Sequence, residues 1–239
     1  MTKIEQVRRL LKKSQSPVFF TGAGMSKESG IPTFRDAIDG LWSDNRPEDL
    51  ATPSAFHADP AKVRAFYEYR RATIRDCKPN AGHLAIAALE TSGFHVSVVT
   101  QNVDGFHEAA GSSKVFALHG NIMEDRCNEG CPGSHAMGRH SGICPVCKKD
   151  TLRPNVVWFG ESLDDDLLLR STVAIMTCDI LFIIGTSGLV YPAAGLADLA
   201  MQRGFPVIEI NPEATPFTDQ VDIFLPGAAA KFLPKICGV

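Results

Sequence analysis

The apolar residues of the chain fall into two rhythms, and their order outlines a fold. Ile4, Val7, Leu10 and Leu11 recur at helical spacing over residues 2–14, with Lys and Arg on the other side. That spacing predicts an amphipathic packing helix. Val18-Phe19-Phe20 is a short continuous apolar run, which predicts a buried strand ending at a glycine turn. No strand signal is present from Asp36 to about Pro79. Leu41 and Trp42 lie in a polar, Asp-rich loop, Ala51-Thr52-Pro53 breaks the chain, and Asp59-Pro60 opens a helix reaching about Cys77. A second helix runs from Asn80 or Ala81 to Thr91 and is closed by Gly93. Phe94–Thr100 and Lys114–Leu118 read as strands, and Ser162–Cys178 as a helix. Ile180–Ile184 is a strand, Ala193–Gln202 a helix, Pro206–Ile210 a strand and Val221–Leu225 a last short strand.

Continuous apolar strands alternating with helices predict an α/β protein with a doubly wound, Rossmann-like parallel sheet buried on both faces. Ligands of such sheets bind beyond the carboxyl ends of the strands. Gly22, Gln101, His119, Gly185 and Asn211 each fall at such an end.

Composition narrows the class. The chain has 239 residues, 44% hydrophobic and 21% charged, which suits an ordinary globule with a large core and a smaller inserted module. A net charge of −3 argues against a nucleic-acid platform and gives no attraction to an acidic membrane. No apolar run approaches the length of a membrane span, and Met1–Lys13 lacks the apolar core of a signal peptide. Seven cysteines, four of them in two close pairs, read as metal binding plus free thiols rather than a disulfide framework. The expected location is cytoplasmic.

Two clusters of residues carry chemistry. The stretch Val18 to Arg35 passes from strand to a glycine turn to small polar residues, the order in which a nucleotide diphosphate site begins. Gly22 and Gly24 would supply unusual φ values and close backbone approach, and free N–H groups at a following helix start would hold an anion. The usual dinucleotide fingerprint wants a third glycine where this chain has Lys27. Further on, Cys127-x-x-x-Cys131 and Cys144-x-x-Cys147 have the spacing of a tetrahedral zinc site, with His119, His135 and His140 as competing ligands. A closed four-thiolate site has no open position for catalysis. His119 itself is either a satisfied turn histidine or a base at the ligand end of a strand. Tyr67 and Arg70, three apart on a helix, share a face; taken alone they read as a half-buried ring and a surface charge.

The series Gly22-Ala23-Gly24-x-Ser26-x-x-Ser29-Gly30-Ile31-Pro32-x-Phe34-Arg35 resembles the first signature of the sirtuins, the NAD-dependent protein deacylases. Thr100-Gln101-Asn102-Val103-Asp104, Leu118-His119-Gly120-Asn121, Gly185-Thr186-Ser187 and Ile210-Asn211 match the same family in order, so the resemblance runs from about Val18 to about Ala229. It implies NAD as a consumed cosubstrate, a structural zinc on the four cysteines, and acylated-lysine proteins or peptides as substrates. His119 would act as general base on a ribose hydroxyl, Asn102 and Asp104 would line the nicotinamide pocket, and Gln101 would face the ribose. Phe34 would cover the reaction centre. Ala23, Ser26, Arg35, Trp42, Val103, Gly185, Thr186, Ser187, Asn211, Pro212, Glu213 and Ala229 complete the expected NAD contacts with Gly22 and Gly24.

Asn155–Glu161 resembles the family's strand that pairs with the peptide, giving Val157, Phe159, Gly160 and Glu161 as substrate contacts. A Tyr-x-x-Arg at Tyr67 and Arg70, with the small Ala37, matches the branch that removes acidic acyl groups such as succinyl and malonyl. Arg can grip a carboxylate bidentately and Tyr can add a hydrogen bond. The expected organisation is a discontinuous NAD-binding domain (1–35, 80–121, 154–239), a helical insertion and candidate lid (36–79) and a zinc module (122–153), in a monomer. Two other classes remain open: an NAD-dependent ADP-ribosyltransferase, and a non-catalytic NAD- or ADP-ribose-sensing module.

Overall fold

The computed structural model describes residues 1–32, 45–138 and 142–238. The expected site residues Phe34, Arg35, Ala37 and Trp42, together with His140, lie outside the described residues.

Six parallel strands form the main sheet: β1 Pro17–Thr21, β2 Ser97–Thr100, β3 Val115–Ala117, β7 Ile180–Ile184, β8 Val207–Asn211 and β9 Ile223–Pro226, in the order β3-β2-β1-β7-β8-β9. The continuous apolar runs are divided between two cores because successive side chains point to opposite faces. Phe19, Val98, Phe182, Ile184 and Ile208 face one core, with α1 Lys3–Leu11, α4 Ala81–Thr91 and α8 Ala229–Cys237 packed on it. Val18, Phe20, Val99, Leu181, Ile183 and Val207 face the other, covered by α6 Asp165–Met176 and α7 Ala193–Met201. Phe19 and Phe182 stack across neighbouring strands at 4.8 Å. Among the described residues no helix is long and apolar enough to cross a membrane.

Three elements differ from the sequence expectation. Residues 51–53 do not break the chain: the Thr52 hydroxyl accepts from the Ala55 N–H and Pro53 occupies the first turn of α2, Pro53–Ala58. Asp59 then caps α3, Pro60–Arg75, through the Lys62 N–H. Helix α8 was unexpected because Pro234 lies inside it; its Leu233 and Ile236 are buried all the same. Residues 94–96, expected in β2, precede it.

A second, antiparallel sheet has the order β5-β4-β6, from β4 Gly120–Cys127, β5 Ser134–Ala136 and β6 Leu152–Val156. Polar β4 carries no strong strand signal, and Pro154 in β6 argues against a central strand; β6 is at the edge of this sheet. Phe56, Val63, Phe66 and Tyr67 from α2 and α3 share one apolar cluster with Ile122, Val156 and Trp158. The helical insertion and the cysteine-bearing sheet therefore pack as a single lobe. Arg71 of α3, buried, pairs with Asp125 of β4 at 2.7 Å and donates to the Ile122 and Glu124 carbonyls.

Candidate active site

The strand order reverses between β1 and β7, and the turns that follow these two strands lie against each other. The Gly22 N–H donates to Ile184 O at 2.9 Å and the Gly24 N–H to Gly185 O at 2.8 Å. A Cβ on Gly22 would sit 2.8 Å from Gly185 O, and one on Gly24 2.7 Å from the Gly185 Cα. Gly22 has φ −123°, so glycine is required here for close approach of two backbones and not for an unusual φ. Two single-turn 3-10 helices follow, Ala23–Met25 and Lys27–Ser29, in place of the expected helix start. The N–H groups of Gly24, Met25 and Ser26 are already donated to carbonyls.

Beyond this turn lies a buried polar relay. The backbone N–H of Asn80 donates to His83 Nδ1, which leaves the proton of this neutral ring on Nε2, 3.4 Å from Ser26 Oγ. Ser26 Oγ also accepts from Asn102 Nδ2 at 3.1 Å and donates to Asp104 Oδ2 at 2.7 Å. Burial raises the Asp104 carboxyl above its ordinary value, while the Phe106 N–H, the Ser26 hydroxyl and the charge of Arg70 oppose the rise. His83 is pushed down to about 4 by burial, and His107, 4.8 Å from it ring to ring, to about 3. His107 Nε2 contacts Thr21 Oγ1 at 3.0 Å, and its buried Nδ1 has no partner among the described residues.

His119 follows β3. Its Nδ1 lies 2.9 Å from the Gln101 carbonyl oxygen. A carbonyl can only accept, so Nδ1 carries the proton and Nε2 keeps a free lone pair. Burial lowers the His119 pKa, partly offset by the bond to Gln101. Gln101 Nε2 donates to Thr186 Oγ1 at 3.0 Å, and Asn211 Nδ2 donates to Thr186 O at 2.8 Å, so β2, β7 and β8 are tied at the same end. Ala23, Ser187, Pro212 and Glu213 are exposed there, and Val103 is half-buried. Ala229 has its methyl in the core, and the next N–H, of Ala230, donates to Glu28 from the turn after β1.

Tyr67 is a core residue, 1% exposed, whose hydroxyl accepts from Trp158 Nε1 at 2.8 Å. Arg70 is half-buried, its guanidinium 6.0 Å from the Phe66 and Tyr67 ring centres. Residues 157–161 lie outside β6, with the Val157 N–H bonded to His119 O and the Phe159 N–H to Ala51 O. Phe159 and Gly160 are exposed, and the Glu161 carboxylate is taken up by Arg126, Arg153 and the Trp158 N–H. His83, Trp158 and Arg153 were not singled out as site residues in the sequence. The Asn80-x-x-His83 capping box was a visible signal for the first; the other two are placed by contacts distant along the chain.

The Cys127, Cys131, Cys144 and Cys147 sulfurs lie within 4.8 Å of one another, and no histidine among the described residues joins them. Cys127 and Cys147 Sγ are 3.8 Å apart, close to the edge of about 3.8 Å that four Zn–S bonds of about 2.3 Å give a tetrahedron. The donor set fits a closed zinc site.

The profile of the Sir2 family matches residues 22–192. The chain belongs to the Sir2 family. A relative named NAD-dependent protein deacylase 1, from Caldanaerobacter subterraneus subsp. tengcongensis, is 45% identical over 96% of this chain and 96% of its own. A solved complex of a Sir2 homolog with NAD superposes with a TM-score of 0.90 at 41% identity, covering 98% of this chain and 92% of the other. A Sir2–p53 peptide–NAD+ structure is 31% identical with a TM-score of 0.86, covering 99% and 98%. The matched span of this Sir2 chain contains the laced glycine turns, the Ser26–Asp104 relay, His119 and the four cysteines.

Proposed function

We propose that the protein is an NAD-dependent protein-lysine deacylase that removes succinyl and malonyl groups, and acetyl groups as well. The deacylase names and NAD complexes of its relatives support the reaction class. Among the site features, the tautomer of His119 carries most weight. With Nδ1–H held by Gln101 and burial keeping the ring neutral, Nε2 is a ready proton acceptor at neutral pH. The acyl oxygen attacks the ribose carbon that bears nicotinamide, and that C–N bond breaks. His119 takes a proton from a ribose hydroxyl, whose oxygen attacks the former carbonyl carbon. Water then completes release of free lysine and O-acyl-ADP-ribose. Asn102 and Asp104 offer donors and acceptors for the nicotinamide amide. The zinc, on four thiolates with no open position, holds the cysteine lobe in shape and takes no part in the chemistry.

The acidic-acyl preference is supported by the burial of Tyr67 and by Arg70 lying over the Phe66 and Tyr67 rings rather than in open solvent. The test is NAD-dependent removal of succinyl against acetyl from one peptide, with wild type and Arg70→Met. A high succinyl-to-acetyl ratio that collapses in Arg70→Met is expected. Equal rates on both acyl groups in both proteins would leave an ordinary deacetylase. Mass gain of ADP-ribose on the peptide, without acyl loss, would make it an ADP-ribosyltransferase.

A further inference from the structure

Trp158 is 2% exposed, at the centre of the core shared by α3 and the antiparallel sheet, and the chemistry above makes no use of it. Its indole N–H donates to the Tyr67 hydroxyl oxygen at 2.8 Å, with both side chains buried. An indole can only donate, whereas a phenol both donates and accepts. The bond occupies an accepting position on the Tyr67 oxygen, and the phenol hydrogen remains to be given elsewhere. Among the described residues no side chain or carbonyl takes that hydrogen. Burial raises the Tyr67 pKa above its ordinary value, so the hydrogen is retained at neutral pH even with Arg70 nearby.

The indole is itself held on several sides. The Arg153 guanidinium lies 3.8 Å from its ring centre, and the Phe56 ring 5.5 Å from it. The Trp158 backbone N–H donates to Glu161 at 2.8 Å, and Glu161 pairs with Arg153. A hydrogen bond from so fixed a donor sets which way the phenol points its hydrogen.

We propose, resting on the acidic-acyl reading above, that Trp158 is a positioning residue for substrate choice: its N–H locks the Tyr67 hydroxyl in the donor role that an acyl carboxylate requires. A phenol free to rotate would offer a lone pair to an anion part of the time. With its accepting side occupied, it meets the carboxylate as a donor, beside the Arg70 charge.

The experiment compares succinyl and acetyl on one peptide in wild type, Trp158→Phe, Tyr67→Phe, the double variant and Arg70→Met, with melting curves for each. Trp158→Phe keeps the ring and removes the N–H. It should lower the succinyl-to-acetyl ratio of kcat/KM by about threefold to tenfold, the range of one ordinary hydrogen bond, through a raised succinyl KM. The double variant should be no worse than Tyr67→Phe alone, because the effect passes through the hydroxyl. A collapsed ratio in Arg70→Met with an unchanged ratio in Trp158→Phe would overturn the positioning role and leave the acidic-acyl reading standing. So would a double variant whose loss is the product of the two single losses. An unchanged ratio in Arg70→Met means that the acidic-acyl reading has failed, and the positioning role falls with it. A second measurement needs no change at Trp158. The chain has two tryptophans, so the indole N–H resonances are readily assigned, and that of Trp158 should move in Tyr67→Phe. An unmoved resonance would also overturn the role.

Discussion

The Gln101 carbonyl and His119 Nδ1, 2.9 Å apart, join the ends of two neighbouring strands and decide which ring nitrogen is basic. His119→Ala should abolish formation of O-acyl-ADP-ribose, a loss on the order of 10²–10⁴-fold or more, while NAD still binds. Calorimetric titration of NAD alongside single-turnover product assays checks both halves. Burial holds the His119 pKa below 6.5, so the neutral form that the proposed mechanism requires dominates at pH 7 and above. The rate should fall on the acid side only, with an apparent pKa below 6.5.

Two other histidines govern stability against acid. His83 and His107 are buried and neutral, with pKa values of about 4 and about 3 against 6.5 when exposed. Between those values the unfolded chain binds the protons and the native one does not. The stability due to these two groups is complete above about pH 6.5 and is lost as pH falls toward 4 and then 3. The slope is up to about 1.4 kcal/mol per pH unit for each histidine. Urea midpoints measured from pH 7 to pH 4 should show this decline, and His107→Phe should flatten it.

Zinc should be present at one equivalent per chain and held by thiolate. Stripping it with a chelator, or Cys144→Ser, should remove several kcal/mol of stability, roughly 10 °C or more in Tm. Atomic emission and thermal melts test this. A metal-free protein with an unchanged melt would leave the four cysteines without a structural task.

Arg71 and Asp125 form a pair with side chains 4% and 14% exposed. Arg71→Met would leave the Asp125 carboxylate without its partner at the base of the lobe. The expected cost is about 3–5 kcal/mol, and Arg71→Met/Asp125→Leu should recover much of it. Equal destabilisation of the single and double variants would contradict this account.

The parallel sheet and its ligand end were legible because apolar runs such as Ile180–Ile184 are long and end abruptly at glycine. The site residues on those ends, Gly22, Gln101, His119 and Gly185, are brought together by the strand reversal. The small lobe was less legible. Its strands are short and polar, and its packing depends on contacts far apart in sequence, as between Tyr67 and Trp158. Helix α8 was hidden by Pro234. The reason for glycine at 22 and 24 could not be read either, because it lies in the Gly185 backbone across the sheet.

One apolar cluster joins α3 to the cysteine-bearing sheet, with Arg71 and Trp158 as its polar fasteners. On the acyl-binding role proposed for Tyr67, that side chain and the four thiolates are thus ends of one lever. A tilt of the sheet that carries the thiolates would swing Tyr67 with it. Loosening the metal would be felt first as blurred substrate discrimination, before the protein melts.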